Sequence, residues 1–217
     1  AQLSRGLGDV YKRQIYVSGA SGNLVGSNIV VSNSQTNGAS GSAGGALFVD
    51  TGTSLTITDS EFSSNSAYSG GAFYLMAGSE ATISESLFNN NDADAGNGGA
   101  VAFERNATVS NVTVYNNKAR FGGGLGILGN YVVTVVNCTI TNNSYPIAGG
   151  LGAGLIVLTG AFTVQNTILA DNQINSVDDN CAVVSPSAIV SAGNNLTDTA
   201  YADCGFSAYS NDIESTE

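Results

Sequence analysis

Short stretches in which apolar and polar residues alternate recur along the chain. One series reads LTIT, ATIS, ATVS, VTVV and FTVQ in chain order. Alternation with a period of two predicts β-strands that have one buried and one exposed face. The apolar positions predict an inward row of Ile57, Ile83, Val109, Val135 and Val164, and the threonines predict an outward row of Thr56, Thr82, Thr108, Thr134 and Thr163.

Asparagines at the ends of apolar stretches give the chain a period. Their spacings are 32, 26, 26, 26 and 29 residues, at Asn33, Asn65, Asn91, Asn117, Asn143 and Asn172. Three residues before each stands an apolar residue: Val30, Phe62, Phe88, Val114, Ile140 and Leu169. Repeats of this length cannot bury their apolar faces alone and must stack. We therefore predict an all-β fold, a right-handed single-stranded parallel β-helix of about six coils of roughly 26 residues, with asparagines sharing hydrogen bonds along one row.

Pairs of glycines precede a third strand in five repeats. They are Gly44 and Gly45, Gly70 and Gly71, Gly98 and Gly99, Gly123 and Gly124, and Gly149 and Gly150. Glycine adopts positive φ without steric cost, so the pairs predict sharp corners. The asparagine that closes the preceding strand is predicted to adopt a similar conformation.

Charge and hydropathy argue against several kinds of partner. The net charge is -11 with six basic residues, none of them after Arg120, so little is available to neutralise the phosphates of nucleic acid or an anionic membrane. No apolar stretch approaches the roughly 20 residues that span a bilayer. We expect no nucleic-acid partner and no membrane insertion by this segment.

Two short motifs resemble those of known surface proteins. Phe62 to Asn65 with Gly70 and Gly71, and Phe88 to Asn91 with Gly98 and Gly99, resemble the FxxN and GGA[ILV] motifs of polymorphic outer membrane protein repeats. That resemblance implies a bacterial β-helix that is secreted or exposed on the cell surface or outer membrane.

The region from NTILADN at 166 to DCGF at 206 resembles the end of the β-helix in surface proteins with a choice-of-anchor Q domain. In that pattern two cysteines bracket a GxNL turn, here Cys181 and Cys204. In an exported protein we expect these two cysteines to form a disulfide.

The resemblances also suggest how the chain is divided. Residues 1–14, AQLSRGLGDVYKRQ, resemble a translated sequencing adapter, and we expect a non-native lead-in. Residues 15–172 should form the coils, and residues 173–217 a truncated, loop-rich C-terminal part of the β-helix. The whole is expected to be a monomeric segment of a longer chain.

The chain has few residues that are suited to catalysis. The chain has no histidine. Arg105, Lys118 and Arg120 are expected at solvated corners, and alternation points Asp178 and Asp179 apart, so no catalytic residue is predicted. Cys138 shares its repeat position with small residues and is expected to be buried.

Two binding alternatives arise from the repeat itself. Asp92, Asp94 and Asn97 lie in one glycine-rich turn and are candidate Ca²⁺ ligands, but the closing bidentate glutamate is missing, so a polar corner without a cofactor is the default. The threonine row would suit an ice-binding face, but the row beside it is irregular.

The sequence therefore favours a non-catalytic secreted or cell-surface β-helix, acting as a stalk or an adhesion module for carbohydrate or for a host or cell-surface protein. The alternative is a fragment of a polysaccharide lyase or hydrolase.

Overall fold

In the part of the chain that the structure describes, the fold consists of twenty-six short strands. The computed structural model describes residues 2–3, 14–19, 22–36, 41–93, 96–184, 186–198, 204–206 and 211–214. In chain order the strands are β1 (Gln2–Leu3), β2 (Ile15–Val17), β3 (Asn23–Ser27), β4 (Val30–Ser32), β5 (Leu47–Val49), β6 (Ser54–Thr58), β7 (Glu61–Ser63), β8 (Phe73–Leu75), β9 (Ala81–Ser84), β10 (Leu87–Asn89), β11 (Val101–Phe103), β12 (Ala107–Ser110), β13 (Thr113–Tyr115), β14 (Leu125–Ile127), β15 (Tyr131–Val136), β16 (Thr139–Thr141), β17 (Ser144–Tyr145), β18 (Leu155–Val157), β19 (Gly160–Gln165), β20 (Ile168–Ala170), β21 (Gln173–Ile174), β22 (Val177–Asp178), β23 (Cys181–Val183), β24 (Ala188–Gly193), β25 (Leu196–Thr197) and β26 (Ile213–Glu214).

Each coil contributes one strand to each of three parallel sheets. Sheet 1 is β2-β5-β8-β11-β14-β18-β23, with β1 antiparallel at its edge. Sheet 2 is β3-β6-β9-β12-β15-β19-β24, and sheet 3 is β4-β7-β10-β13-β16-β20-β25-β26. A small fourth sheet joins β17, β21 and β22. The described residues thus form seven sets of three strands, with β26 as one further strand of sheet 3, which confirms the predicted parallel β-helix.

The inward rows meet as predicted. Ile57 pairs with Ile83, and Ile83 with Val109, along sheet 2, and all five members of the predicted row are buried. Phe62 and Phe88 stack with ring centroids 5.2 Å apart, and Phe73 meets both edge-on. The threonines follow one another in register on the outer face. Each buried aliphatic or aromatic side chain contributes about 1.5–3 kcal/mol, so the columns are the main source of stability.

The register of the first coil differs from the prediction by one residue. Val31, not Val30, pairs with Phe62, and Val30 is 71% exposed. Ser34 rather than Asn33 takes the ladder position, because its N–H donates to Asn65 Oδ1 at 3.0 Å. The prediction that the ladder asparagines adopt positive φ is also wrong. The residue before each one does: Asn33, Ser64, Asn90, Asn116, Asn142 and Asp171.

The glycine corners are correct in three repeats and shifted in two. Gly44, Gly70 and Gly98 have positive φ, and an added Cβ at Gly98 would lie 2.3 Å from the Val101 carbonyl oxygen. In the next coil the corresponding glycine is Gly122, and in the one after it Gly152. The pair predicted at Gly123 and Gly124 is therefore displaced by one residue. Gly149 does have a positive φ of 91°, but the glycine equivalent to Gly122 is Gly152, three residues later. Neighbouring glycines offer several possible registers, and coil-to-coil hydrogen bonds select one.

Replacing Gly99 by alanine should lower the free energy of unfolding by about 1–3 kcal/mol, the usual cost of overpacking. The new Cβ would lie 2.0 Å from the Gly123 carbonyl oxygen and 2.7 Å from backbone atoms of Lys118. Gly22→Ala is the matched control, because the nearest atoms to its Cβ would be those of the Thr53 side chain at 3.4 Å, an ordinary contact distance. Urea unfolding measures both variants, and equal midpoints would contradict the steric account.

Candidate functional site

A continuous row of buried asparagines occupies the corner after sheet 3. Asn117 Oδ1 accepts hydrogen bonds from Asn91 N and Nδ2, each at 2.9 Å. Asn117 Nδ2 donates to Asn143 Oδ1 and to the Phe88 carbonyl, each at 3.0 Å. The same pattern runs from Ser34 through the ladder to the last members, Asn65, Asn91, Asn117, Asn143, Asn172 and Asn180. The hydrogen-bonding groups of these amides are therefore used in holding successive coils together.

A second polar column lies at the corner between sheets 2 and 3. The Ser60 N–H donates to Ser86 Oγ at 3.1 Å, and the Cys138 N–H donates to Thr167 Oγ1 at 3.3 Å. The column continues through Asn195, whose N–H donates to Asp212 Oδ1 at 2.9 Å, and ends at Asp212. Sequence reasoning placed the small residues in one slot but missed its last two members, because the spacing changes after Thr167.

Arg105 is fully buried, so the prediction that it lies at a solvated corner is wrong. Its guanidinium donates to backbone carbonyls of the two preceding coils: Met76 at 2.6 Å, Asp50 at 3.2 Å, Ser79 at 3.3 Å, and Thr53. In the described part of the chain no salt bridge joins it to a carboxylate. Burial lowers the pKa of this guanidinium, and the nearby Tyr131 partly offsets the effect. An arginine that satisfies corner carbonyls is a structural element and cannot act from a groove.

The two other basic residues of the repeat lie at the surface. Lys118 Nζ pairs with Asp92 Oδ2 at 3.1 Å, with about two fifths of each side chain exposed. The guanidinium carbon of Arg120 lies 5.0 Å from the centre of the Phe121 ring. Ion pairs this exposed contribute little to stability.

The candidate calcium ligands are only partly described. Asp92 pairs with Lys118, the Asn97 N–H donates to Ser69 Oγ, and Asp94 lies outside the described residues. Within the described ranges no group of three or more Asp, Glu, His or Cys side chains could hold a metal ion.

Cys181 and Cys204 are joined by a disulfide, with Cα atoms 5.1 Å apart. The bond ties residues 204–206, including buried Phe206, to the end of the apolar core. Cys138 is free and buried, and burial raises the pKa of its thiol to about 11. A thiol of that pKa is a poor nucleophile at neutral pH.

Shallow grooves follow the corners of the solenoid in the described part of the chain, and two of them are large enough to hold a ligand. The first, which we call the acidic corner groove, lies between sheets 2 and 3 and has a volume of about 680 Å³. Asp59, Glu61 and Glu85 line it together with Asn28 and Asn111. Asp59 and Glu85 are exposed and Glu61 is half-buried. Sequence reasoning did not single out these three carboxylates.

The second groove, the neutral corner groove, lies between sheets 1 and 2 in the last three coils. It has a volume of about 540 Å³, and each coil supplies three residues: Asn130, Tyr131 and Val132; Thr159, Gly160 and Ala161; Pro186, Ser187 and Ala188. No charged side chain is among these residues. The lining residues are the last loop residues before β15, β19 and β24 and the first residues of those strands. Sequence reasoning missed this groove because the residue types at these positions differ from coil to coil.

Asp178 and Asp179 have different partners, in agreement with the expectation that they point apart. Asp178 Oδ1 accepts a hydrogen bond from Gln173 Nε2 at 3.0 Å, and Asp179 Oδ2 accepts one from the Gly152 N–H at 3.1 Å.

The described residues contain no helix of the length and hydrophobicity that crossing a bilayer requires.

Three parallel sheets, one strand per coil, and an interior of stacked side chains define a parallel β-helix. A family model described as "right handed beta helix region" matches residues 13–197, and the chain belongs to that family. The search of curated proteins and the search of solved structures found no match.

Proposed function

We propose that this chain is a non-catalytic structural and adhesive segment of a secreted or cell-surface protein. The observation that carries the proposal is the placement of the three basic residues of the repeat. Arg105 is buried against carbonyls, and neither Lys118 nor Arg120 lines one of the two grooves. Uronate lyases need a basic group beside the substrate to remove a proton, and these grooves offer no such cation.

The interior supports a load-bearing role. Polar side chains of successive coils are hydrogen-bonded to one another in the asparagine ladder, so the stack is a continuous rigid body. Rigid solenoids present long lateral surfaces to partners. The FxxN and GGA[ILV] motifs and the choice-of-anchor Q resemblance support placement at a bacterial cell surface, with carbohydrate or a surface protein as partner.

One observation favours a carbohydrate-active enzyme as the second candidate. The acidic corner groove brings Asp59, Glu61 and Glu85 to one surface, and glycoside hydrolysis uses pairs of carboxylates. Against this, two of the three carboxylates are exposed, and the groove is too shallow to exclude water from a reacting bond.

The two candidates are separated by incubating the chain with polygalacturonate, alginate, xylan and mixed-linkage β-glucan. We expect neither unsaturated uronate nor new reducing ends, together with slowed migration in affinity electrophoresis on at least one polysaccharide. Glu85→Gln is the control for hydrolysis. Product release that disappears in this variant would replace the adhesive proposal by the enzymatic one.

A further inference from the structure

We infer that the neutral corner groove binds a neutral glycan chain. This inference deepens the proposed adhesive function by naming the class of ligand and its location. The groove is formed by equivalent corners of three successive coils, so it runs along the axis of the stack. Coils rise about 4.8 Å each, which is close to the length of one sugar unit in an extended β-linked chain. Each coil can therefore face one sugar unit.

The chemistry of the lining fits hydroxyl-rich, uncharged ligands. The side chains of Asn130 and Thr159 are exposed and make no hydrogen bond to another described residue. The Ser187 hydroxyl donates to the Leu158 carbonyl at 3.2 Å and keeps its acceptor capacity. Amides and hydroxyls can both donate to and accept from sugar hydroxyls, so these groups can fix the orientation of a bound unit.

Tyr131 supplies the aromatic surface of the groove. The residue is half-buried and packed against the apolar core, and its ring lies beside Gly129, where an added Cβ would be 2.5 Å from Cε2. Its hydroxyl makes no hydrogen bond to another described residue, although it lies close enough to the buried Arg105 to affect the pKa of that guanidinium. A ring held in place in this way can contact the apolar C–H face of a sugar at low entropic cost.

Charge argues against other ligands. Net charge -11 makes the chain unattractive to polyanions, and no cation lines the neutral corner groove. The absence of carboxylates from the lining gives cations and basic peptides no partner there. A volume of about 540 Å³ lies within the range of small-molecule sites.

The aromatic column on the outside of sheet 1 is a poorer candidate for the same ligand. Tyr16, Phe48 and Tyr74 stack with centroids 5.2 and 5.8 Å apart and interplanar angles of 4°. Their faces are therefore covered by each other, and sugars contact ring faces.

Calorimetric titration of the full chain with cellohexaose, mannohexaose and xylohexaose tests the inference. We expect at least one to bind with a Kd of roughly 1 mM or tighter. The double variant Asn130→Ala/Thr159→Val should lose at least tenfold in affinity, and Tyr131→Phe a smaller factor. Thr82→Val, on the outward row two coils away, is the matched control and should stay within twofold. Unchanged urea midpoints exclude unfolding of the variants.

The possible failures are distinguishable. If no neutral hexasaccharide binds, or if the double variant binds as tightly as the wild type, the groove is not the site and the inference is overturned. Tighter binding of hexagalacturonate or of a decaproline peptide would also overturn it. None of these results releases product, whereas product in the polysaccharide incubations would overturn the proposed non-catalytic function.

Discussion

Replacing Arg105 by methionine should lower the free energy of unfolding by about 3 kcal/mol. The side chain donates to four carbonyls at the corners of two preceding coils. A buried acceptor without a donor costs about 1–3 kcal/mol, and water reaching some of these carbonyls would reduce the sum. Methionine fills much of the same volume and removes the cost of burying a charge, but it supplies no donor. We therefore expect the loss of these charge-assisted hydrogen bonds to cost more free energy than is gained by no longer burying a charge.

Arg120→Met is the matched control, because it removes the same groups from an exposed corner. It should change stability by no more than about 0.5 kcal/mol. Arg105→Lys keeps the charge with only three donors and should fall between wild type and Arg105→Met. Urea unfolding, followed by circular dichroism, gives midpoint and slope for each. Similar midpoints for Arg105→Met and Arg120→Met would show that the buried guanidinium is energetically neutral.

The inward and outward rows were predictable because two independent periods agree at those positions. Ile83 lies in a strand that alternates at period two and also 26 residues from both Ile57 and Val109. Alternation fixes which face a side chain takes, and the repeat fixes what lies above and below it. Either pattern alone would leave the fold open.

Glycine corners and the first ladder position were less predictable because the sequence offers neighbouring equivalents. Gly122, Gly123 and Gly124 are consecutive, and the choice of Gly122 for positive φ follows from hydrogen bonds to adjacent coils. Ser34 likewise occupies a ladder position although it is not an asparagine. The first hydrogen bond of the ladder needs only a backbone donor, and the Ser34 N–H supplies it to Asn65 Oδ1.

The burial of Arg105 could not be predicted from its charge or its turn. Glycines of the two preceding coils leave room for the Arg105 side chain. An added Cβ at Gly78 would lie 3.0 Å from Arg105 Nη2 and 3.2 Å from the Gly52 backbone nitrogen. Small residues at the same corner of two earlier coils were the available signal. These glycines indicate a site for Arg105 only if the three corners lie directly above one another, and the strand register of the structure was needed to show that they do.

Replacing Asn117 by alanine should lower the free energy of unfolding by about 3–5 kcal/mol. Asn91 N and Nδ2 lose their acceptor, and the Phe88 carbonyl loses a donor, all in a buried environment. Unsatisfied buried groups of this kind cost about 1–3 kcal/mol each. Asn116→Gly is the control at the adjacent position, because Asn116 is exposed and has a φ of 53° that glycine adopts freely. It should change stability by less than about 1 kcal/mol.

The position within the stack makes the Asn117 result diagnostic. The second polar column is already interrupted by Val112, so coils can stack across one apolar step there. The asparagine ladder has no such interruption from Asn65 to Asn172, and Asn117 is at its centre. If Asn117→Ala unfolds in two urea transitions, the ladder couples the two halves of the stack into one unit. A single transition with an unchanged midpoint would show that the apolar columns hold the coils together without it.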